Sequence, residues 1–194
     1  MSASGARPGT PATSLRPRLA LAATAIGVAS FAASPDLRGA LGAALGWLML
    51  AVAQSDARRF VVPDALTASA FALGLVDASL ADGGSFQAPA LAAATAALAA
   101  AALYAVELVY RRLRGRAGLG LGDVKLAGVA GAWLGVALTP AAIELAALAA
   151  LAAYFMRQAR KRRALNGAAR LPFATFLAPA IWLVWLLATR FPPP

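Results

Sequence analysis

The stretch Gly118-Leu119-Gly120-Leu121-Gly122-Asp123-Val124-Lys125 places one carboxylate, that of Asp123, where a basic loop gives way to an apolar run. The apolar run continues to about Leu138. Glycines at 118, 120 and 122 allow the backbone to bend and to approach another chain closely, which a side chain would prevent. An acid at the edge of a membrane span is energetically costly, so Asp123 is a candidate functional residue.

The composition is that of a membrane protein with several spans. Of the 194 residues, 61% are hydrophobic and 13% are charged, whereas a soluble domain carries about 25% charged residues. We therefore predict an all-α fold, a polytopic bundle of transmembrane helices.

The chain contains no cysteine and no histidine. Disulfides, thiol catalysis, cysteine or histidine metal sites and a Ser-His-Asp triad are therefore excluded. Proton transfer must use the eight carboxylates, or less readily Tyr, Lys or Arg, and we expect neither a metal nor a cofactor. The net charge of +10 fits the basic cytoplasmic loops of a membrane protein. Because no stacking aromatics are interleaved with the basic residues, we expect no nucleic-acid partner.

Seven apolar runs predict seven transmembrane helices within a membrane-embedded domain of residues 19–190. A tight turn is predicted at Thr139-Pro140, between the fifth and sixth runs. We predict a disordered cytoplasmic tail at 1–18 and a C-terminal tail at 191–194. The first run could instead be a secretory signal sequence, but a retained helix is preferred because six further runs follow. The runs cover about 19–34, 37–55, 61–81, 88–110, the Gly-rich stretch to 138, 141–156 and 172–189.

The distribution of positive charge predicts the orientation. With the N-terminus in the cytoplasm, all of the 18 Lys and Arg residues except Arg38 and Arg190 lie on the cytoplasmic side, as the positive-inside rule requires. Glycines four residues apart, Gly42 with Gly46 and Gly131 with Gly135, indicate close packing between helices.

This topology brings two carboxylates to the same membrane depth. Asp56 closes the second run and Asp123 opens the fifth, both on the cytoplasmic side. Two carboxylates held close together can share one proton, so that one acts as a general base while the other polarises a carbonyl. The alternative from spacing alone is that both acids form interfacial salt bridges with Arg58, Arg59 or Lys125.

Three motifs in this chain resemble those of a known family. Gly120-Leu121-Gly122-Asp123 matches the GxGD signature of intramembrane aspartic proteases, and Val124-Lys125-Leu126 resembles the type IV prepilin peptidase branch. A second motif of that branch, an Asp followed seven residues later by Pro and then Asn or Asp, matches Asp56, Pro63 and Asp64, with Ala65-Leu66-Thr67 behind it. A third, the Pro-Phe entry to the last helix, matches Leu171-Pro172-Phe173 with Phe176-Leu177-Ala178 behind it. Together these matches cover most of residues 45–180.

The resemblance implies an aspartic endopeptidase of the inner (cytoplasmic) membrane, surrounded by lipid. Its substrate would be a prepilin or pseudopilin, whose short basic leader is cut on the cytoplasmic side. Asp56 and Asp123 would be the catalytic pair, while Asp64 and Lys125 would anchor a loop and balance charge. The oligomeric state is left open. Supporting motif positions are Gly120, Gly122, Lys125, Pro63, Asp64, Pro172 and Phe173.

The chain departs from the family pattern in two places. Longer members carry a cytoplasmic insertion with cysteine pairs and also methylate the new N-terminus, whereas this chain resembles the short form, for which we do not expect methyltransferase activity. The last-helix motif often has Gly-Pro where Ala174-Thr175 stand here. Glu107 matches no motif and is interpreted as a helix-end anchor near Arg111.

Two other functions remain open at this stage. A proton-coupled transporter would use acids as a relay, with ionisable groups and broken helices near the bilayer middle. A non-catalytic scaffold or assembly factor would tolerate asparagine at Asp56 and Asp123.

Overall fold

The computed structural model describes residues 12–81, 83–84, 86–161 and 172–191, with the backbone alone for residues 12–16 and for 161. These residues form helices and, within the described ranges, no strand, so the predicted all-α class is confirmed. Some predictions lie outside the described residues. They concern residues 1–11, Asp82, most of the basic loop (162–170), the motif residue Leu171 and the tail at 192–194. The helices are α1 (Ala12–Ala33), α2 (Leu37–Arg59), α3 (Asp64–Ala81), α4 (Gln87–Arg114), α5 (Leu121–Lys161) and α6 (Ala174–Arg190).

Four of these helices, α2 to α5, are long and apolar enough to cross a membrane, and shorter apolar helices lie at Pro17–Ala33 and Ala174–Arg190. The chain is therefore a multi-pass membrane protein, although the predicted count of seven spans is not confirmed. α1 begins at Ala12, inside the stretch 1–18 that was predicted to be a tail. The first turns of α1 contain polar residues, so the apolar pattern of the sequence does not reveal that the helix begins there.

The predicted turn at Thr139-Pro140 is wrong, because both residues lie within α5. The helix breaks instead at Gly135, whose backbone angles of φ 64° and ψ −173° fall in a region that is essentially restricted to glycine. A Cβ at Gly135 would meet nothing within 4 Å. Gly135 is therefore required for backbone conformation, and its predicted role in close packing is also wrong.

The predicted packing role holds for the glycines of α2. A Cβ at Gly42 would lie 1.8 Å from the ring of Trp185 on α6. A Cβ at Gly46 would lie 2.3 Å from Ile26 on α1 and 2.8 Å from the ring of Trp182. These two glycines let α2 sit between α1 and α6, and α2 also contacts α3.

The end of the bundle opposite Asp56 carries an ion pair between α2 and α3. Arg38, in the first turn of α2, donates from Nε to Asp77 Oδ1 over 3.2 Å. Arg38 and Asp56 are separated by most of α2, roughly 27 Å at 1.5 Å per helical residue. Arg38 and Asp77 therefore lie at one end of the bundle and Asp56 at the other.

Replacing Gly131 with alanine is expected to lower the free energy of unfolding by about 1–3 kcal/mol. The new Cβ would lie 2.5 Å from the carbonyl oxygen of Thr95 and 2.7 Å from Cα of Ala96, both backbone atoms of α4 that cannot rotate away. The matched control is Gly128→Ala in the same helix, where the nearest atom would be 3.6 Å away. Thermal unfolding in detergent micelles measures both, and equal melting temperatures for the two variants would contradict this packing.

Candidate active site

Asp56 lies in the last turn of α2, where the helix ends in a left-handed residue. Phe60 adopts φ 53° and ψ 36°, and its N–H donates to the carbonyl of Asp56 over 2.9 Å. Asp56 is 6% exposed. Its Oδ2 accepts hydrogen bonds from the backbone N–H of Thr175 (2.8 Å) and from the hydroxyl of Thr175 (3.1 Å). The carboxylate is thus turned inward, toward the start of α6.

Asp123 lies in the first turn of α5 and is 8% exposed. It exchanges two hydrogen bonds with Gly120: the Gly120 N–H donates to Asp123 Oδ2, and the Asp123 N–H donates to the Gly120 carbonyl, each over 3.0 Å. Its carboxylate lies close enough to Asp56 for the two charges to interact, and it also interacts with the backbone N–H of Ala174. The structure thus brings together the two acids that the sequence paired, Asp56 and Asp123.

The start of α6 connects the two acids. Phe173, the residue that precedes this helix, makes no side-chain cap, so the first N–H groups of α6 need partners from elsewhere. The Asp56 carboxylate accepts from Thr175, and the Asp123 carboxylate interacts with Ala174. Since a helix N-terminus carries partial positive charge, it partly offsets the burial of the two acids. The uncapped helix start at Pro172-Phe173 thus leaves N–H groups of α6 free to interact with the two acids.

Thr175 stands where the resemblance expects proline, and its contacts give that departure a structural meaning. Both of its donors reach the same oxygen, Asp56 Oδ2, and its hydroxyl also lies 3.4 Å from the carbonyl of Ala53. A proline at this position would have no N–H to donate. In this chain, threonine therefore holds the orientation of the Asp56 carboxylate.

The Gly-rich segment before Asp123 is held by contacts within the same chain. A Cβ at Gly118 would lie 2.5 Å from the ring of Tyr110, and a Cβ at Gly122 would lie 2.7 Å from Val62. Gly120 is less crowded, because its Cβ would meet nothing nearer than Asp123 Oδ2 at 3.4 Å. None of the three glycines has positive φ. Tyr110 and Val62 of this same chain approach the backbone closely at Gly118 and Gly122. The predicted backbone bend that only glycine could adopt is absent from these three positions.

The remaining motif residues lie at the start of α3 and its link to α5. Pro63 precedes α3 and accepts the Thr67 N–H over 3.3 Å. Asp64, in the first turn of α3, pairs with Lys125 of α5; the side chains are 78% and 48% exposed. Lys125 is therefore engaged with Asp64, in contrast to the alternative in which it pairs with Asp56 or Asp123.

Glu107 makes contacts that the sequence did not predict. It is 6% exposed and its Oε2 accepts from the backbone N–H of Gly118 (3.1 Å) and of Leu119 (2.6 Å). It therefore holds the Gly-rich segment, in addition to lying near the end of α4 as interpreted from the sequence. The available signal was helical spacing, because Glu107 continues a buried stripe of α4 formed by Ala92, Ala96 and Leu103.

Two buried carboxylates in this arrangement can support acid–base chemistry. Among the described residues, no group of three or more acidic side chains could hold a metal ion. Like charges held close together favour a state in which one carboxyl is protonated and the other ionised. Such a pair can accept a proton from water and donate one to an oxygen or nitrogen atom of a substrate.

Fold and site together define a multi-pass membrane protein with two buried acids at one end of a helical bundle. Residues 43–155 match the model of the type IV leader peptidase family, and the chain belongs to this family.

Three curated relatives with similar sequences carry names that agree with this family assignment. The chain is 31% identical over 144 residues to a prepilin leader peptidase/N-methyltransferase of Stutzerimonas stutzeri, covering 73% of this chain and 47% of that protein. It is 38% identical over 109 residues to one of Neisseria gonorrhoeae, covering 55% of this chain and 37% of that protein. It is 32% identical over 142 residues to one of Pseudomonas aeruginosa, covering 73% and 47%. The chain thus spans less than half the length of these relatives. No solved structure matches.

Proposed function

We propose that this protein is an aspartic endopeptidase of the inner (cytoplasmic) membrane, which removes the leader of prepilins or pseudopilins at the cytoplasmic face. The observation that carries the proposal is that two buried carboxylates, Asp56 and Asp123, both interact with the first residues of α6. Family membership and the names of the relatives support the substrate class. The predominance of basic residues at this end of the bundle supports its cytoplasmic orientation.

The proposed reaction is hydrolysis of one peptide bond by a pair of acids that share a proton. The ionised carboxyl takes a proton from water, whose oxygen attacks the carbonyl carbon while the protonated carboxyl donates its proton to the carbonyl oxygen. The tetrahedral intermediate then breaks its C–N bond. The proton taken from water passes to the leaving nitrogen, and one hydroxyl of the intermediate returns its proton to the carboxylate that had donated one. The pair returns to one proton and no cofactor is consumed.

Substrate recognition is proposed to depend on the apolar helix that follows the leader. Positive charge predominates at the end of the bundle proposed to face the cytoplasm, and this charge would repel a basic leader. Packing of the substrate helix against the apolar surface of the bundle is therefore the better source of affinity. The proposal covers hydrolysis only. The names of the relatives also include methyl transfer, but the chain matches less than half of the length of each of them.

The two other functions considered are less well supported. A transporter relay would place acids beside a helix break near the bilayer middle. The break of α5 is at Gly135, about 18 Å along the helix from Asp123 at 1.5 Å per residue. A scaffold would have no need for two buried acids at the start of α6, where burial costs stability.

Purified protein in vesicles is expected to cleave a co-reconstituted prepilin and to leave a mature product whose mass lacks the leader and any added methyl group. The same leader fused to a soluble domain is expected to be cleaved at least about tenfold more slowly, because it lacks the apolar helix. Gel shift and mass spectrometry of the product measure both. No cleavage of several prepilins by folded protein would count against the proposed substrate, and equal cleavage of the soluble fusion would count against recognition through the helix.

A further inference from the structure

We infer that Glu107 is a positioning residue for the reaction: its buried carboxylate clamps the backbone of Gly118 and Leu119 and thereby holds Asp123 in place. The inference rests on the proposed function, in which Asp123 is one of the two catalytic acids. It assigns a role to an acid on α4 that lies outside the three motifs of the family resemblance.

The burial of Glu107 calls for compensation. The residue is 6% exposed on a helix that is apolar enough to span the membrane, and an acid in such a place is costly unless it is well hydrogen-bonded. Its Oε2 accepts two backbone N–H groups, from Gly118 at 3.1 Å and Leu119 at 2.6 Å. Hydrogen bonds to a carboxylate are about twice as strong as those between neutral groups. The clamp therefore ties α4 to this segment by two hydrogen bonds to one carboxylate oxygen.

The clamp continues to Asp123 through the backbone. The residue after Leu119 is Gly120, which exchanges two hydrogen bonds with Asp123, each of 3.0 Å. Any shift of Gly118 and Leu119 thus moves the partner that orients the Asp123 carboxylate.

A second contact from α4 supports the same segment. The ring of Tyr110, less than one turn beyond Glu107, lies so close to Gly118 that a Cβ there would be 2.5 Å away. Glu107 and Tyr110 therefore hold the segment from the same helix, one by hydrogen bonds and the other by contact. The Glu107 oxygen that makes this clamp faces the loop backbone, which fits a role in positioning and not in proton transfer to substrate.

The test compares Glu107→Gln with Glu107→Leu in vesicles containing a prepilin. Glutamine keeps a carbonyl oxygen that can accept both N–H groups, so kcat is expected to stay within about tenfold of wild type. Leucine fills the space without an acceptor, and kcat is expected to fall by about 100-fold. KM is expected to change little in either variant, because the clamp does not touch the substrate helix. Glu144→Leu, at an exposed glutamate of α5, is the matched control and is expected to retain wild-type kinetics.

Hydrogen exchange provides a readout that does not depend on activity. In Glu107→Leu, peptides covering residues 115–121 are expected to exchange faster than in wild type, while peptides from α2 and α6 keep their rates. Unchanged exchange at 115–121 would overturn the clamp even if wild-type protein cleaves no prepilin, which keeps this test separate from the proposed function. Wild-type kcat in Glu107→Leu would overturn positioning. A kcat in Glu107→Gln as low as that in Glu107→Leu would overturn it as well and would point to a proton-carrying role.

Discussion

Replacing either Asp56 or Asp123 with asparagine is expected to reduce prepilin cleavage by about 1,000-fold or more. Asparagine keeps the size of the side chain but can neither take a proton from water nor donate one as an acid. Both residues are nine-tenths buried beside the start of α6, so each variant removes one of the two acids that the proposed reaction needs. The measurement is initial cleavage rate in vesicles at equal amounts of inserted protein.

A graded comparison makes this result specific. Asp64→Asn removes an acid near the same end of the bundle, but its pair with Lys125 is largely exposed, so the rate is expected to fall by less than about tenfold. If Asp56→Asn or Asp123→Asn retained such a rate, that residue could not be one of the two catalytic acids. If both retained it, the scaffold function would be favoured.

The second large effect is expected at Gly122, where alanine should lower kcat by about 10- to 100-fold. The added Cβ would lie 2.7 Å from Val62 Cγ2 and 2.8 Å from Val62 Cβ. Because rotation of the valine side chain cannot move its Cβ, the backbone must shift, and the next residue is Asp123. A displacement of this kind misplaces the reacting carboxylate.

Gly120→Ala is the matched control for that prediction. Its Cβ would meet Asp123 Oδ2 at 3.4 Å and the N atom of Gly122 at 3.9 Å, which are ordinary contacts, and Gly120 does not have positive φ. We expect kcat within about threefold of wild type. Equal losses at Gly120 and Gly122, measured by cleavage kinetics, would contradict the view that packing against Val62 explains the second glycine of the motif.

The location of Asp56 and Asp123 at the same end of the bundle could be predicted from the sequence because it depends on membrane depth, whereas their pairing was favoured over salt bridges only by the family resemblance. Apolar runs and basic loops reveal where each helix enters the membrane, and both acids stand at such an entry on the same side. The all-α class follows from the same apolar pattern. These are properties of residue type and spacing, which a sequence displays directly.

The contacts that orient the acids could not be predicted in this way. Glu107 holds Gly118 and Leu119 through their backbone N–H groups, and Thr175 holds Asp56 partly through its own. Backbone donors are the same in every residue except proline, so the sequence does not reveal which of them are used.

The predicted position of the break in α5 was wrong because the sequence does not show how the two parts of this helix pack. Proline at 140 is the stronger signal for a turn in the sequence, but proline is tolerated near the start of a helix. The conformation at Gly135 depends on how the two parts of α5 pack.

Cross-linking of a cysteine pair tests most directly whether α2 and α5 bring these two positions together. The chain has no cysteine, so Asp56→Cys combined with Asp123→Cys introduces the only two thiols. A short bifunctional thiol reagent in native membranes is predicted to link α2 and α5 within one chain, as identified by mass spectrometry. The control pair, Asp77→Cys with Asp123→Cys, is predicted to give no link, because Asp77 lies at the opposite end with Arg38. No link in the first pair, or equal yields in both, would contradict the proposed active site.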